Sequence, residues 1–176
     1  ALRPLMEKAA EVILVPTGRP LEWNFTQDLP PVLADEVHLE EIIRNLMRNA
    51  EKYSPGGTPI QICACQEGDQ VRISVIDHGS GVPKKYQQFI FERFERVEGG
   101  ENASSGWGLG LYFARKLILA QNGSIGVNSP IWPDAGRIPA GALRPAASGI
   151  TRTATNSSRP PLGSIEYAVS RGSRTR

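Results

Sequence analysis

The stretch Glu36–Tyr53, EVHLEEIIRNLMRNAEKY, constrains the fold more than any other part of the chain. Leu39, Ile42, Ile43, Leu46, Met47 and Ala50 recur at helical spacing, so the segment reads as an amphipathic helix with an apolar stripe for a core. Asp35 stands where an N-cap belongs, and Ser54-Pro55-Gly56-Gly57 supplies a stop. Asn45, Asn49 and Lys52 fall at i, i+4 and i+7, a second stripe along one edge of the first. Asparagine is a mediocre helix former, so two on one stripe need a reason. Their amide oxygens suit a hard cation, and the Lys52 ammonium suits phosphate. On pattern alone, a solvated polar edge is the plainer explanation.

The apolar stripe needs other layers to cover it, and 176 residues allow one domain plus a tail. No run approaches the roughly 20 apolar residues of a membrane span, and the first residues lack a signal-peptide core. The chain begins with Ala rather than Met, so it reads as a piece of a longer protein. Cys63 and Cys65 share one face of an expected strand, a spacing that suits neither a disulfide framework nor a zinc site. They read as reduced thiols of a cytoplasmic protein. The net charge of +2 conceals two unlike parts. Residues 1–133 carry 13 Lys and Arg against 16 Asp and Glu, whereas residues 134–176 carry seven Arg, one Asp and one Glu. Nothing in the first part suggests a nucleic-acid footprint.

Residues 4–15 read as a short helix entering a strand. Residues 21–29 alternate Leu21, Trp23 and Phe25 against polar neighbours, a half-buried strand stopped by Pro30-Pro31. Strands over 60–65 and 71–77 flank Glu67-Gly68-Asp69, a hairpin signal. Asp77 closes the apolar row Val71, Ile73, Val75, where a carboxylate is costly without a partner. The turn Asp77-His78-Gly79-Ser80-Gly81 follows, with glycines that permit close backbone approach. A short helix is expected in residues 84–96, ending in IFERFER. Residues 97–105 are almost without apolar anchors and read as mobile. Gly106-Trp107-Gly108-Leu109-Gly110 opens a second helix over 109–120, and Asn122-Gly123 closes it before a strand at 124–128. Beyond 133, Ala, Gly, Pro, Ser, Thr and Arg dominate, and the segment reads as disordered, although 165–169 has the makings of a short strand.

Three polar or glycine-bearing elements thus recur: the Asn helix, the Asp77 turn and the glycines at a helix start. Unpaired N–H groups at a helix N-terminus favour anions, and glycines let phosphate approach. The glycine spacing is not the GxGxxG of a dinucleotide fold, and there is no Walker A sequence. Together the elements resemble the ATP-binding catalytic domain of sensor histidine kinases, in the GHKL superfamily with DNA gyrase, heat-shock chaperone ATPases and mismatch-repair ATPases. NLMRNAEKY looks like the N box, VIDHGSGVP the first glycine box, IFERFER the F box and GWGLGLYFARKL the second glycine box. The four come in the family's order, and the resemblance covers about residues 5–130.

The resemblance implies an α+β fold, a two-layer α/β sandwich of the Bergerat type. Its mixed, largely antiparallel sheet carries helices on one face. It implies one ATP-binding catalytic domain over 1–133 and leaves 134–176 as a disordered basic tail, atypical of the family. Asp77 would accept a hydrogen bond from the adenine amine, with Gly79 and Gly81 beside the base. Asn49 would ligate Mg²⁺, assisted by Asn45, and Lys52 would reach phosphate. Tyr53 would pack near adenine or ribose unless its phase takes it to the core. Gly106, Gly108 and Gly110 would line the phosphates, Leu109 would fix the helix start in the core, and residues 96–105 would form a lid. Arg96 would neutralise phosphate or lie on the surface, and Phe91 and Phe94 would pack at the lid hinge. His38 lies outside any acceptor-like setting, and His78 reads as an exposed turn residue.

By the same resemblance, the chain binds Mg-ATP and donates its γ-phosphoryl group to a histidine on a separate phosphoacceptor and dimerisation domain, with a response regulator downstream. No catalytic residue is expected here beyond those that position ATP. The fragment is expected to be monomeric, cytoplasmic, either in a soluble kinase or as the cytoplasmic part of a membrane-anchored sensor, and without nucleic-acid or membrane contact of its own. Two other readings stay open: an anti-sigma-factor-type serine kinase, and a degenerate nucleotide-binding module. The family's usual closing strand, with alternating aromatics, has no match near residue 134, which leaves the sheet short of an edge strand.

Overall fold

In the computed structural model, which describes residues 1–26, 29–95, 107–129 and the backbone of 164–170, Glu36–Tyr53 is a helix throughout. The other elements, in chain order, are α1 (Leu2–Ile13), β1 (Leu21–Phe25), this helix as α2, β2 (Ile60–Glu67), β3 (Gln70–Ile76), α3 (Gly110–Leu119), β4 (Ser124–Asn128) and β5 (Ser164–Ser170). The Asp35 side chain accepts the His38 N–H at 2.9 Å and caps α2. Pro55 follows the last turn and stops it.

The apolar stripe of α2 is buried over its whole length, at Leu39, Ile42, Ile43, Leu46, Met47 and Ala50. Each large side chain among them contributes about 1.5–3 kcal/mol of burial. They meet Ile60, Ile62, Ala64, Val71, Ile73 and Val75 from the sheet, Leu5, Met6 and Ala9 from α1, and Ala114 and Ile118 from α3. The helices lie on one face of the sheet. The alternate residues of β2, including Cys63 and Cys65, are half-buried on the other, and neither cysteine is in a disulfide.

The sheet order is β1-β2-β3-β5-β4. Only β1 and β2 run parallel, from Leu21 opposite Ile60; the other pairs are antiparallel. The result is the mixed, largely antiparallel sheet expected. Gly68, with φ 57°, makes the β2–β3 hairpin turn, and Glu67 pairs with Gln70 across it.

The expected tail needs correction at one place. Ser164–Ser170 is an interior strand, paired with β3 on one side and β4 on the other. Ile165, Tyr167 and Val169 stand at register positions opposite Val75, Ile73 and Val71. Seven residues of alternation are a weak local signal. Here the unpaired edges of β3 and β4 supply what propensity does not. The sheet is therefore not short of a strand. The rest of 134–176 lies outside the described residues.

Three smaller expectations also change. After α1 the chain makes a 3₁₀ turn at Val15–Thr17 instead of a strand, because Pro16 lacks an N–H and Gly18 turns back with φ 65°. Strand β1 ends at Phe25 rather than running to 29. Residues 83–92 form successive turns, with Tyr86 N–H to Pro83 O and Phe89 N–H to Tyr86 O, rather than a helix. Among the described residues, no helix is long and apolar enough to cross a membrane.

Candidate nucleotide-binding site

The C-terminal half of α2 carries the polar stripe along the edge of the core. Asn45 Nδ2 donates to Glu41 Oε1 at 3.2 Å, which fixes the amide one turn from its neighbour. Asn49 differs. Its Nδ2 is buried and has no hydrogen-bond partner among the described residues. An unsatisfied buried N–H₂ costs about 1–3 kcal/mol, and as a donor it suits an acceptor such as a phosphate oxygen. The Lys52 ammonium lies 4.8 Å from the ring centroid of Tyr53. Tyr53 itself is 50% exposed, so its phase takes it away from the core.

Strand β3 delivers Asp77 to the same end of α2. Asp77 is half-buried, and its Oδ1 accepts the Gly79 N–H at 2.7 Å. Burial pushes its pKa above the ordinary 3.8, while the Gly79 N–H, His78 and Arg19 act against that shift. The folded pKa exceeds the unfolded one, so ionised Asp77 costs stability at neutral pH. That cost fades as pH falls through the raised pKa and is gone below 3.8. Asp35 and Glu40 are lowered, by the His38 N–H and by Lys8 respectively, so their contributions are instead lost in acid. The isolated Asp77 effect is the melting-temperature difference between wild type and Asp77→Asn, which should shrink as pH is lowered.

Two glycines of this turn serve different needs. A Cβ at Gly79 would stand 2.7 Å from the Tyr53 carbonyl oxygen and 2.8 Å from Asp77 Oδ1, so only glycine fits between them. Gly81 has φ 79°, a left-handed conformation that side chains resist. His78 is not the exposed residue expected: it is 9% exposed, and its Nδ1 lies 3.0 Å from the Pro59 carbonyl oxygen.

The start of α3 completes the arrangement. A Cβ at Gly110 would come within 3.1 Å of Asn45 Oδ1, so glycine lets this backbone approach the Asn stripe. Gly108, at φ 65°, packs on the end of the IFERFER segment: its Cβ would meet Glu95 O at 2.9 Å, and its carbonyl accepts the Phe94 N–H at 3.2 Å. Phe91 and Phe94 do not act alike. Phe91 is buried, whereas Phe94 is 59% exposed with φ 63° and lies under the Arg93 guanidinium at 5.2 Å. Leu109 is half-buried at the N-cap, and Leu111, not Leu109, packs on the core. Gly106 and the whole of the expected lid, residues 96–105 with Arg96, lie outside the described residues.

Asn45, Asn49, Lys52, Tyr53, Asp77, Gly79, Gly108 and Gly110 thus belong to three adjoining segments: the end of α2, the exit of β3 and the start of α3. Among the described residues, no group of three or more His, Cys, Asp or Glu is placed to hold a metal ion. A cation here would depend on amide oxygens and phosphate.

Residues 34–156 match the profile of the histidine kinase-, DNA gyrase B- and HSP90-like ATPase family. The chain belongs to that family. Within it, the adaptive-response sensory kinase SasA of Microcystis aeruginosa is 43% identical over 110 residues, which are 60% of this chain and 28% of that protein. The histidine protein kinase SaeS of Staphylococcus epidermidis is 40% identical over 117 residues, covering 65% and 33% respectively. The chain therefore spans about a third or less of these relatives. The mycobacterial sensor histidine kinase MprB superposes with a TM-score of 0.71 at 22% identity, over 96% of this chain and 95% of that one. Full-length ShkA in complex with AMPPNP gives 0.69 at 23% identity, over 96% and 30%. These two likenesses establish the GHKL fold.

One contributor to this arrangement was invisible in the sequence. The Arg19 side chain is only 6% exposed. It donates to the carbonyls of Glu51, Ser54, Pro55 and Thr58 at 2.8–3.4 Å and to Thr58 Oγ1 at 3.2 Å. A guanidinium at a helix C-terminus satisfies orphan carbonyls and meets the negative end of the dipole. It holds the segment on which Tyr53 faces Gly79. A cleft of about 540 Å³, lined by Leu2, Arg3, Phe25, Thr26, Glu36 and Leu39 among others, lies toward the opposite end of α2.

Proposed function

We propose that this chain binds Mg-ATP and donates the γ-phosphoryl group to a histidine on a separate phosphoacceptor domain, as the catalytic part of a two-component sensor kinase. One observation carries the reading: Asp77, a half-buried carboxylate whose pKa burial raises, and the orphaned N–H₂ of Asn49 belong to adjoining segments of a histidine-kinase-like fold. Asp77 accepts a hydrogen bond from the exocyclic amine of adenine. Gly79 and Gly81 let the backbone pass beside the base, and Tyr53 covers its exposed side. Lys52, Gly108 and Gly110 face the phosphates, where the N–H groups at the start of α3 favour negative charge; Arg96 and Gly106 are assigned to the same role from the sequence resemblance alone. Leu109 sets the start of that helix.

Magnesium suits the residues present. Asn49, with Asn45, would hold it through amide oxygens, and bound there it would neutralise phosphate charge. The chain contributes positioning and charge compensation. The attacking nitrogen belongs to the acceptor histidine. Its lone pair forms the N–P bond, the bond from the γ-phosphorus to the bridging oxygen breaks, and ADP leaves with that electron pair. His38, exposed beside Asp35, takes no part. The site belongs to a cytoplasmic kinase, and a response regulator receives the phosphoryl group next.

With γ-labelled ATP and a histidine-bearing acceptor hairpin from the same kinase, label should appear on the hairpin and none on this chain. Label on the chain alone would contradict the assignment. Asn49→Ala removes the orphaned amide, so it should leave the melting temperature unchanged or raised. In calorimetric titrations it should bring the ratio of nucleotide Kd without and with Mg²⁺ close to one.

A further inference from the structure

Asp77 and Gly79 stand on a turn, and the bond between them moves with it. What ties the turn to α2 is the residue between them. The His78 N–H donates to Ser54 Oγ at 3.2 Å, and the ring Nδ1 pairs with the Pro59 carbonyl at 3.0 Å. A carbonyl only accepts, so Nδ1 carries the proton. His78 and Ser54 are both buried, at 9% and 7% exposure. The segment between Ser54 and Pro59 has no regular structure of its own. Its other side is held by Arg19, through the carbonyls of Ser54, Pro55 and Thr58, and by Thr58 Oγ1 donating to Pro55 O at 2.8 Å. It is clamped between a guanidinium and an imidazole.

The clamp acts in one direction and Gly79 in the other. The turn cannot move toward α2, because the position of a Gly79 Cβ is already 2.7 Å from the Tyr53 carbonyl oxygen. It cannot move away without breaking both His78 bonds. We propose that His78, latched to Ser54 and Pro59, is a positioning residue that holds Asp77 rigid and so enforces adenine over guanine. The inference rests on the adenine role given to Asp77 above. An adenine amine donates to a carboxylate, whereas the guanine carbonyl at that position repels it. A carboxylate that is free to retreat loses little when guanine enters, whereas a fixed one cannot relieve the repulsion. Rigidity therefore affects the ratio of affinities more than either affinity alone.

The test is the ratio of Kd values for GTP and ATP analogues, measured by calorimetry on wild type, His78→Leu, His78→Asn and Ser54→Ala, with melting curves to establish folding. His78→Leu should lower the ratio by about tenfold, the worth of one good hydrogen bond. Ser54→Ala should lower it in the same direction. His78→Asn, whose amide N–H can replace Nδ1–H, should recover most of the preference. A role confined to stability would lower the melting temperature and leave the ratio alone. A folded His78→Leu chain with the wild-type ratio overturns the proposal; should that variant not fold, an unchanged ratio in Ser54→Ala does so. A folded wild type that binds no adenine nucleotide overturns the parent reading with it, whereas wild-type binding with unchanged variants overturns this inference alone.

Discussion

Asp77→Asn is expected to weaken adenine-nucleotide binding roughly 100-fold while leaving the folded chain at least as stable as wild type. The carboxylate is held at the end of an apolar strand, where burial raises its pKa above 3.8, so keeping it ionised is a cost the fold bears. Asparagine has the same shape, and its amide oxygen still accepts the Gly79 N–H. The turn therefore stands. Toward the base the change is severe, because an N–H₂ can replace an acceptor opposite an amine that also donates. Loss of a hydrogen bond to a charged group, with a donor left facing a donor, is worth about 3 kcal/mol, or roughly 100-fold in Kd. Calorimetry and thermal melting on the same preparations separate the two effects. A variant that binds like wild type removes Asp77 from the site; one that fails to fold contradicts the stability argument.

Arg19→Met should produce the largest loss of stability among the substitutions considered, about 3 kcal/mol. The methylenes are retained, so the loss is that of the guanidinium. Four carbonyls and one hydroxyl oxygen lose a charged donor, and water reaches only some of them. The ion pair with Glu51, at 3.9 Å and with Glu51 partly exposed, adds little. Arg19→Lys should recover only part of the loss, because a point charge cannot serve the same fork of acceptors. Urea unfolding measures both. A loss below about 1 kcal/mol would mean that the carbonyls are satisfied by solvent once the arginine is gone.

Which features were legible in the sequence follows from how local their causes are. Helix α2 was readable because six apolar positions, an N-cap and a proline stop agree within one stretch. The β2–β3 hairpin was readable because a single glycine sets its turn. Strand β5 was obscured because its stabilisation is non-local. It takes its pairing from two strands far earlier in the chain, and its own seven residues lie in a segment of low-complexity composition. Arg19 was missed and His78 misread for a related reason. Both pair with backbone carbonyls, which every residue has, so no motif in the sequence marks the partner. A glycine-flanked histidine in a turn looks exposed until the loop that covers it is in place.

The glycine boxes were legible as glycines but not for their separate reasons. Gly79 is required for space, Gly108 for space and left-handed backbone, and Gly110 so that the start of α3 can approach Asn45. The split between Phe91 and Phe94 likewise depends on backbone direction. With φ 63°, Phe94 departs from the local regular pattern, and no periodicity rule anticipates that. The Asn stripe is the instructive case. Helical phase put Asn45 and Asn49 on the edge of the core, but only packing distinguishes them: one amide is paired with Glu41 and the other is left buried without a partner.

The most direct test of the central claim is a calorimetric titration of a non-hydrolysable ATP analogue into the intact chain, with and without Mg²⁺. One nucleotide should bind per chain, more tightly with magnesium, and a GTP analogue should compete poorly. A folded chain that binds no adenine nucleotide, or that binds guanine and adenine nucleotides equally, would contradict the account.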